Sequence, residues 1–264
     1  MKQYCVIGNP IGHSLSPKLH NYLFKKNNIN AVYDKIETNE EDIELILRKV
    51  KEKKINGINV TIPFKKAVIP YLDKLTTEAE QTQSVNTVIL NNNNLEGHNT
   101  DIFGFDKAIK NINFNFENKK VLILGAGGVV PSIIFALNKI NVSKIIVSNR
   151  TKKKAENLKL QFQYLELLDW GEIVDFDVII NATSLGLKNE TINLDFSRFE
   201  NNKLFYDVIY NPSETNFLKE GKKLGNKIEN GKLMFIYQAF EAFKLWHGKE
   251  PVINREILEI LNND

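Results

Sequence analysis

Apolar and polar positions along this chain fall into short blocks whose period switches repeatedly between that of a strand and that of a helix. Tyr4–Ile7 is a short apolar run, the pattern of a strand. Helical spacing follows to about Asn27, opened by Ser16 as N-cap and Pro17 as first helical residue. Ala31–Glu37 is a second strand. Thr38 and Glu41 then have the spacing of a capping box, and Ile43, Ile46, Leu47 and Val50 lie on one helical face. Ile55–Val60 is a third strand. This alternation predicts a parallel or mostly parallel α/β sheet.

Val85–Leu90 and Leu95–His98 are short strands around the polar turn Asn91–Asn94, and Ile102–Ile109 is helical. Asn111–Lys119 is a polar linker. Beyond it, Val121–Leu124 has the unbroken apolar pattern of a buried parallel strand. A glycine turn at Gly125, Gly127 and Gly128 leads into helical spacing from Val129, with Pro131 tolerated in the first turn. Further strands begin at Lys144, Val178 and Leu204, so the segment after residue 119 is expected to form a second, doubly wound sheet. Lys232–His247 and Ile253–Leu261 are helical and have no strand of their own. The expected organisation is an N-terminal α/β domain over residues 1–110, with 232–264 packing back on it, and a doubly wound domain over 111–231. A cleft is expected between them.

Composition narrows the functional classes. The chain has 264 residues, and its net charge of +3 is too small and too dispersed to argue for nucleic acid. A single cysteine, Cys5, excludes an internal disulfide, and it gives no metal cluster. No apolar run is long enough for a membrane span. The first apolar run meets Gly8-Asn9-Pro10 too soon for a signal peptide, so a soluble cytoplasmic protein is expected.

Residues that carry chemistry collect where strands end. Gly8–Pro17 places Ser14 and Ser16 beside the free N–H groups of a helix start, a good place for a carboxylate. Ser16 also serves as the cap, whereas Ser14 has no such duty. Asn59 and Thr61 fall at period two and point to one side, and Lys65 enters the next turn. In open α/β sheets ligands bind beyond the carboxyl ends of the strands. Asn86, Asn99 and Asp101 also cluster at strand ends or a helix start, where Asp equally serves as a cap.

In the second domain, strand, glycine turn and helix start form a phosphate cradle, in which backbone N–H groups and the positive end of the helix dipole converge. Val130 stands where the dinucleotide fingerprint has a small residue. The next strand ends in Asn149, Arg150 and Thr151, followed by Lys152, Lys153 and Lys154, with no acid before Glu156. An acid at this point accepts from a free ribose 2′-hydroxyl, whereas a guanidinium fits a 2′-phosphate in two-point geometry. The pattern predicts NADP rather than NAD, with at least one of the lysines on a solvated helix face.

Taken in order, several motifs resemble those of the shikimate dehydrogenases. They are Gly8–Asn21, Asn59–Lys65, Val85–Thr87, Asn99–Asp101 with Gly104, Gly125–Gly128, Asn149–Thr151, Asn181–Gly186, Asp207–Pro212 with Thr215, and Gly231, Met234, Gln238 and Trp246–Gly248 near the end. They span nearly the whole chain. The resemblance implies a substrate domain followed by a Rossmann-type NADP-binding domain, and reversible reduction of 3-dehydroshikimate to shikimate with NADPH. It implies that Ser14 and Ser16 hold the substrate carboxylate. Thr61, Asn86, Asp101 and Gln238 would hold ring hydroxyls, with Asn59 and Tyr210 beside them. Lys65 and Asp101 would be the catalytic pair. For the cofactor it implies Gly125, Ala126, Gly127, Gly128 and Val129 at the pyrophosphate, and Asn149, Arg150, Thr151 and Lys154 at the adenosine phosphate. Val208 and Gly231 would lie at the nicotinamide, and no metal is implied. The expected partner is a small molecule, for a monomer or homodimer.

The chain departs from the family's pattern at Gln83-Ser84, where Gly-Ala is common, at Thr77 in place of an acid, at Leu233 in place of a glycine, and at Val130. Two other functions use the same fold. One is a quinate/shikimate dehydrogenase that uses NAD, against which Arg150 argues. The other is a non-catalytic NADP-binding regulator, which would need neither Lys65 nor Asp101.

Overall fold

The computed structural model describes residues 1–199 and 201–261. Packing divides the chain into two units, Met1–Gly104 with the chain from Ile236 onward, and Phe105–Phe235. Both divisions fall inside helices, whereas the sequence pattern placed them at residues 110 and 232, where the periodicity changes.

The first unit contains β1 (Lys2–Gly8), α1 (Ser16–Lys26), β2 (Ala31–Glu37), α2 (Ile43–Lys51), β3 (Gly57–Val60), β4 (Lys74–Leu75), α3 (Thr77–Thr82), β5 (Thr87–Asn91), β6 (Asn94–His98) and the start of α4 (Thr100–Lys110). Its strands are ordered β2-β1-β3-β5-β6-β4. β1 runs parallel to β2 and β3, while β5 is antiparallel to both β3 and β6. The β5–β6 hairpin turns on Asn92 and Asn93, both at positive φ, the geometry for which asparagine is favoured. Ile7, Leu47, Ile58, Val68 and Val88 fill one core. A second packing region is aromatic: Tyr4 lies 4.9 Å from Trp246, and the His20 ring stacks on Tyr33 at 4.3 Å.

Three local readings change. The cap of α1 is not Ser16, which is already helical; Ser14 Oγ accepts from the Ser16 N–H at 3.3 Å instead. The capping box at Thr38 and Glu41 does not form, because Asn39 precedes a short 3₁₀ turn and its side chain is held by Asn9. β4 and α3 were not expected from the pattern, being too short to show a period. Gln83, at the position where glycine is common in the resembling family, ends α3 in the left-handed conformation (φ 48°) that glycine enters most cheaply.

The second unit contains the rest of α4, β7 (Lys120–Leu124), α5 (Val130–Lys139), β8 (Lys144–Ser148), α6 (Lys152–Gln161), β9 (Glu166–Leu168), β10 (Val178–Asn181), β11 (Leu204–Asp207), α7 (Asn216–Lys223), β12 (Lys227–Glu229) and the start of α8 (Lys232–His247); α9 (Arg255–Ile260) belongs to the first unit. The order β12-β11-β10-β7-β8-β9 is parallel throughout. This is the doubly wound dinucleotide-binding order, whose strand sequence reverses between β7 and β10. β9 and β12 extend the sheet beyond the strands visible in the sequence. Among the described residues no helix is long and apolar enough to cross a membrane.

Candidate active site

In the first unit the carboxyl end of β3, the amino end of β5 and the first turn of α4 bring Lys65, Asn86 and Asp101 together. Lys65 Nζ donates to Asp101 Oδ2 at 2.5 Å, and both residues are buried. The other Asp101 oxygen accepts from Asn86 Nδ2 at 3.0 Å. Asn86 Oδ1 accepts from the Thr100 N–H at 2.7 Å, which ties its amide to the start of α4. Asp101 therefore does more than occupy a helix start: it carries a buried ion pair whose second oxygen is also fixed.

Asn59 stands behind Asn86. Its Nδ2 donates to the Asn86 carbonyl at 3.0 Å and to Thr87 Oγ1 at 2.9 Å, and its Oδ1 accepts from the Tyr33 hydroxyl at 2.6 Å. Both N–H donors and one acceptor direction of this amide are thus used inside the protein. Burial pushes the Tyr33 hydroxyl well above its usual pKa, and Ser16 hydrogen-bonds it. A continuous path of side chains runs from Ser16 through Tyr33, Asn59, Thr87 and Asn86 to Asp101 and Lys65. Tyr33 is invisible to motif reasoning, because it looks like an ordinary strand residue. Thr61 follows β3, with its N–H on the Ile7 carbonyl, and Gln238 lies half-buried in α8. Tyr210 belongs to the other unit, where it stacks on Phe235 at 4.6 Å.

The second unit holds a cavity of about 260 Å³ at the carboxyl ends of β7, β8 and β10. Gly125–Gly127, Asn149–Thr151 and Lys154, Trp170, and Ala182–Leu185 line it. Gly125 has φ +113°, and a Cβ there would sit 2.7 Å from the Ala182 carbonyl oxygen. Only glycine allows this close approach of two strand ends. Lys152 pairs with Asp169 at 3.1 Å and Lys153 with Glu156 at 3.9 Å, whereas no acidic partner is found for Arg150 or Lys154 among the described residues. The cations left for an anion are therefore the two that line the cavity.

Gly128 and Val129 are not among the lining residues. The Val130 side chain is fully buried in the core, so the departure from the fingerprint changes helix packing and leaves the cavity wall intact. Val208 and Gly231 lie outside this cavity but touch each other, since a Cβ on Gly231 would meet the Val208 carbonyl oxygen at 2.1 Å. The Thr183–Leu185 wall belongs to a motif visible in the sequence; Trp170 had no signal there.

A cavity lined by a glycine turn and two cations, and a buried ammonium–carboxylate pair at strand ends, define a nicotinamide-dependent dehydrogenase built of two α/β units. Models of three domain families match the chain: the shikimate dehydrogenase substrate binding domain over residues 6–88, shikimate / quinate 5-dehydrogenase over 106–207, and the shikimate 5'-dehydrogenase C-terminal domain over 233–252. The chain belongs to the shikimate dehydrogenase family. It is 53% identical, over 99% of each chain, to a shikimate dehydrogenase (NADP(+)) of Pelagibacter ubique. Among solved structures it resembles shikimate dehydrogenase from Aquifex aeolicus (38% identity, TM-score 0.90, covering 100% of this chain and 98% of that one). It also resembles a Thermus thermophilus shikimate 5-dehydrogenase in complex with NADP(H) and shikimate (31% identity, TM-score 0.90, 99% of each chain).

Proposed function

We propose that this chain catalyses the reversible reduction of 3-dehydroshikimate to shikimate, with NADPH as the electron donor. The observation that carries this reading is the buried Lys65–Asp101 pair, which a non-catalytic binding protein does not need. The glycine turn and the free cations Arg150 and Lys154 fit a 2′-phosphorylated dinucleotide.

When bound, NADPH supplies the hydride that goes to the ketone carbon. Lys65 stabilises the negative charge that develops on the ketone oxygen and gives it a proton. Asp101 holds the Lys65 ammonium and accepts from a neighbouring ring hydroxyl, while Asn86 fixes the carboxylate's other oxygen. Ser14 and Ser16 lie at the start of α1, which suits the substrate carboxylate. Thr61 and Gln238 are assigned to ring hydroxyls. Asn59 serves the substrate site by holding Asn86, and Tyr210 is also assigned to the substrate. Gly125–Gly128 with Val129 serve the pyrophosphate, Asn149–Thr151 and Lys154 the adenosine phosphate, and Val208 and Gly231 the nicotinamide end. A cytoplasmic location is in keeping with a lone, free cysteine, Cys5.

The test is an absorbance assay at the reduced-nicotinamide band, with shikimate or quinate against NADP or NAD. The expected result is fastest turnover with shikimate and NADP. A clear preference for NAD, or no turnover with shikimate, overturns the reading.

A further inference from the structure

The Asn181–Gly186 motif at the end of β10, and Asp207 and Thr215 at and just beyond the end of β11, take no part in the scheme above. Their polar side chains form one buried network. Asp207 is fully buried, and its carboxylate accepts from Asn181 Nδ2 at 3.1 Å, from Thr215 Oγ1 at 2.6 Å and from the Ile209 N–H at 3.0 Å. With Nδ2 held by an acceptor, Asn181 must turn its Oδ1 the other way. That oxygen accepts from the Thr183 N–H at 3.0 Å and from Thr183 Oγ1 at 2.7 Å. Thr183 Oγ1 in turn accepts from the Leu185 N–H at 3.0 Å, and Asn181 Nδ2 also donates to the Leu185 carbonyl at 3.0 Å.

The segment held in this way, Thr183–Leu185, is one wall of the cavity beside the glycine turn. Its neighbour Ala182 presents the carbonyl that closes against Gly125. We propose that Asp207 is a positioning residue for the dinucleotide, acting through Asn181 to fix the Thr183–Leu185 wall of the cavity. An acceptor at Asp207 sets which end of the Asn181 amide faces the turn; a reversed amide would point N–H groups at the Thr183 N–H and leave both without an acceptor.

The inference rests on the reading of this cavity as the NADP site, so 2′,5′-ADP and NADPH are the probes. Dissociation constants would be measured on the full chain by NADPH fluorescence and by displacement with 2′,5′-ADP, beside kcat and KM for shikimate at saturating NADP. Asn181→Ala is expected to weaken both probes by about tenfold or more, with kcat and the shikimate KM within about twofold. Asp207→Ala is expected to do the same, whereas Asp207→Asn, which keeps an acceptor for Asn181, restores most of the affinity. If Asp207→Ala does not fold, Asn181→Ala and Asp207→Asn carry the test, because they leave the Thr215 cap of α7 in place. Unchanged probe binding in Asn181→Ala, or equal losses for NADPH and shikimate, overturns the relay alone. Failure of the unaltered protein to bind 2′,5′-ADP overturns the cavity assignment, and the relay with it.

Discussion

Lys65 and Asp101 form an ion pair at 2.5 Å whose side chains are only 10% and 8% exposed. Two charges removed from water in this way cost desolvation free energy, and such a pair is weak evidence for stability. The proposed acid–base role would account for the pair where stability does not.

Replacing Lys65 by Met removes the proposed proton donor and leaves the apolar stem. The expected outcome is a fall in kcat of about 10²- to 10⁴-fold, with the KM for shikimate little changed. Steady-state kinetics in the direction of shikimate oxidation would check this. A variant that keeps its turnover number removes Lys65 from the role of acid and base.

Tyr33→Phe deletes one hydroxyl and keeps the ring stacked on His20. Asn59 Oδ1 then loses its buried donor, at a cost of about 1–3 kcal/mol. Thermal unfolding should report that loss. Because Asn59 supports Asn86, and Asn86 holds Asp101, kcat/KM for shikimate should also fall by roughly tenfold while NADPH binding is unchanged. A drop in melting temperature with full activity would separate scaffold from site.

Arg150→Ala tests cofactor choice. A charge-assisted hydrogen bond to a phosphate contributes about 1.5–3 kcal/mol, or roughly 10- to 150-fold in affinity. The KM for NADP should rise by that order, and the KM for NAD should stay as it was. Equal effects on both would mean that Arg150 does not meet the 2′-phosphate.

Acid should destabilise the fold through His20 and His247. Burial, with the charge of His247 adding to it, lowers His20 to about 3; burial, then Lys2 and Lys249, lowers His247 to about 4. Among the described residues neither His20 ring nitrogen has a hydrogen-bond partner. At these two positions the unfolded chain takes up protons near pH 6.5 and the folded one does not. Stability is therefore lost as pH falls from about 6.5 towards 4, by up to about 1.4 kcal/mol per pH unit for the fully buried His20 and by less for the half-buried, solvent-screened His247. Urea denaturation between pH 7 and 4 measures the slope, and His20→Phe should reduce it by one histidine's share. An unchanged slope would assign the acid sensitivity elsewhere.

Much of the molecule was legible before any coordinates. The Val121–Leu124 run, the glycine turn and helical spacing beyond it have only one common arrangement, and β7 and α5 follow it. The Asn91–Asn94 turn announced its hairpin, because asparagine tolerates the positive φ that the turn requires. Short elements were not legible. β4, β9 and β12 have two or three residues each, too few to show a period, and sheet pairing alone stabilises them. Caps were only partly legible, since Ser14 and Ser16 are both plausible donors and acceptors and the helix start decides between them.

By itself the sequence determined the two α/β halves, the glycine cradle, the cationic end of β8, and the residue types able to give a proton to a ketone oxygen. Local patterns fix these, because periodicity, turn chemistry and charge act over a few residues. Tertiary structure alone decided which side chains meet. It joined Lys65 to Asp101 across 36 positions, placed Tyr33 behind Asn59, and left Arg150 and Lys154 in the cavity while Lys152 and Lys153 found acidic partners. Hydrogen bonds and ion pairs act over a few ångströms of space, and the distances between residues far apart in the chain exist only once the sheets have formed.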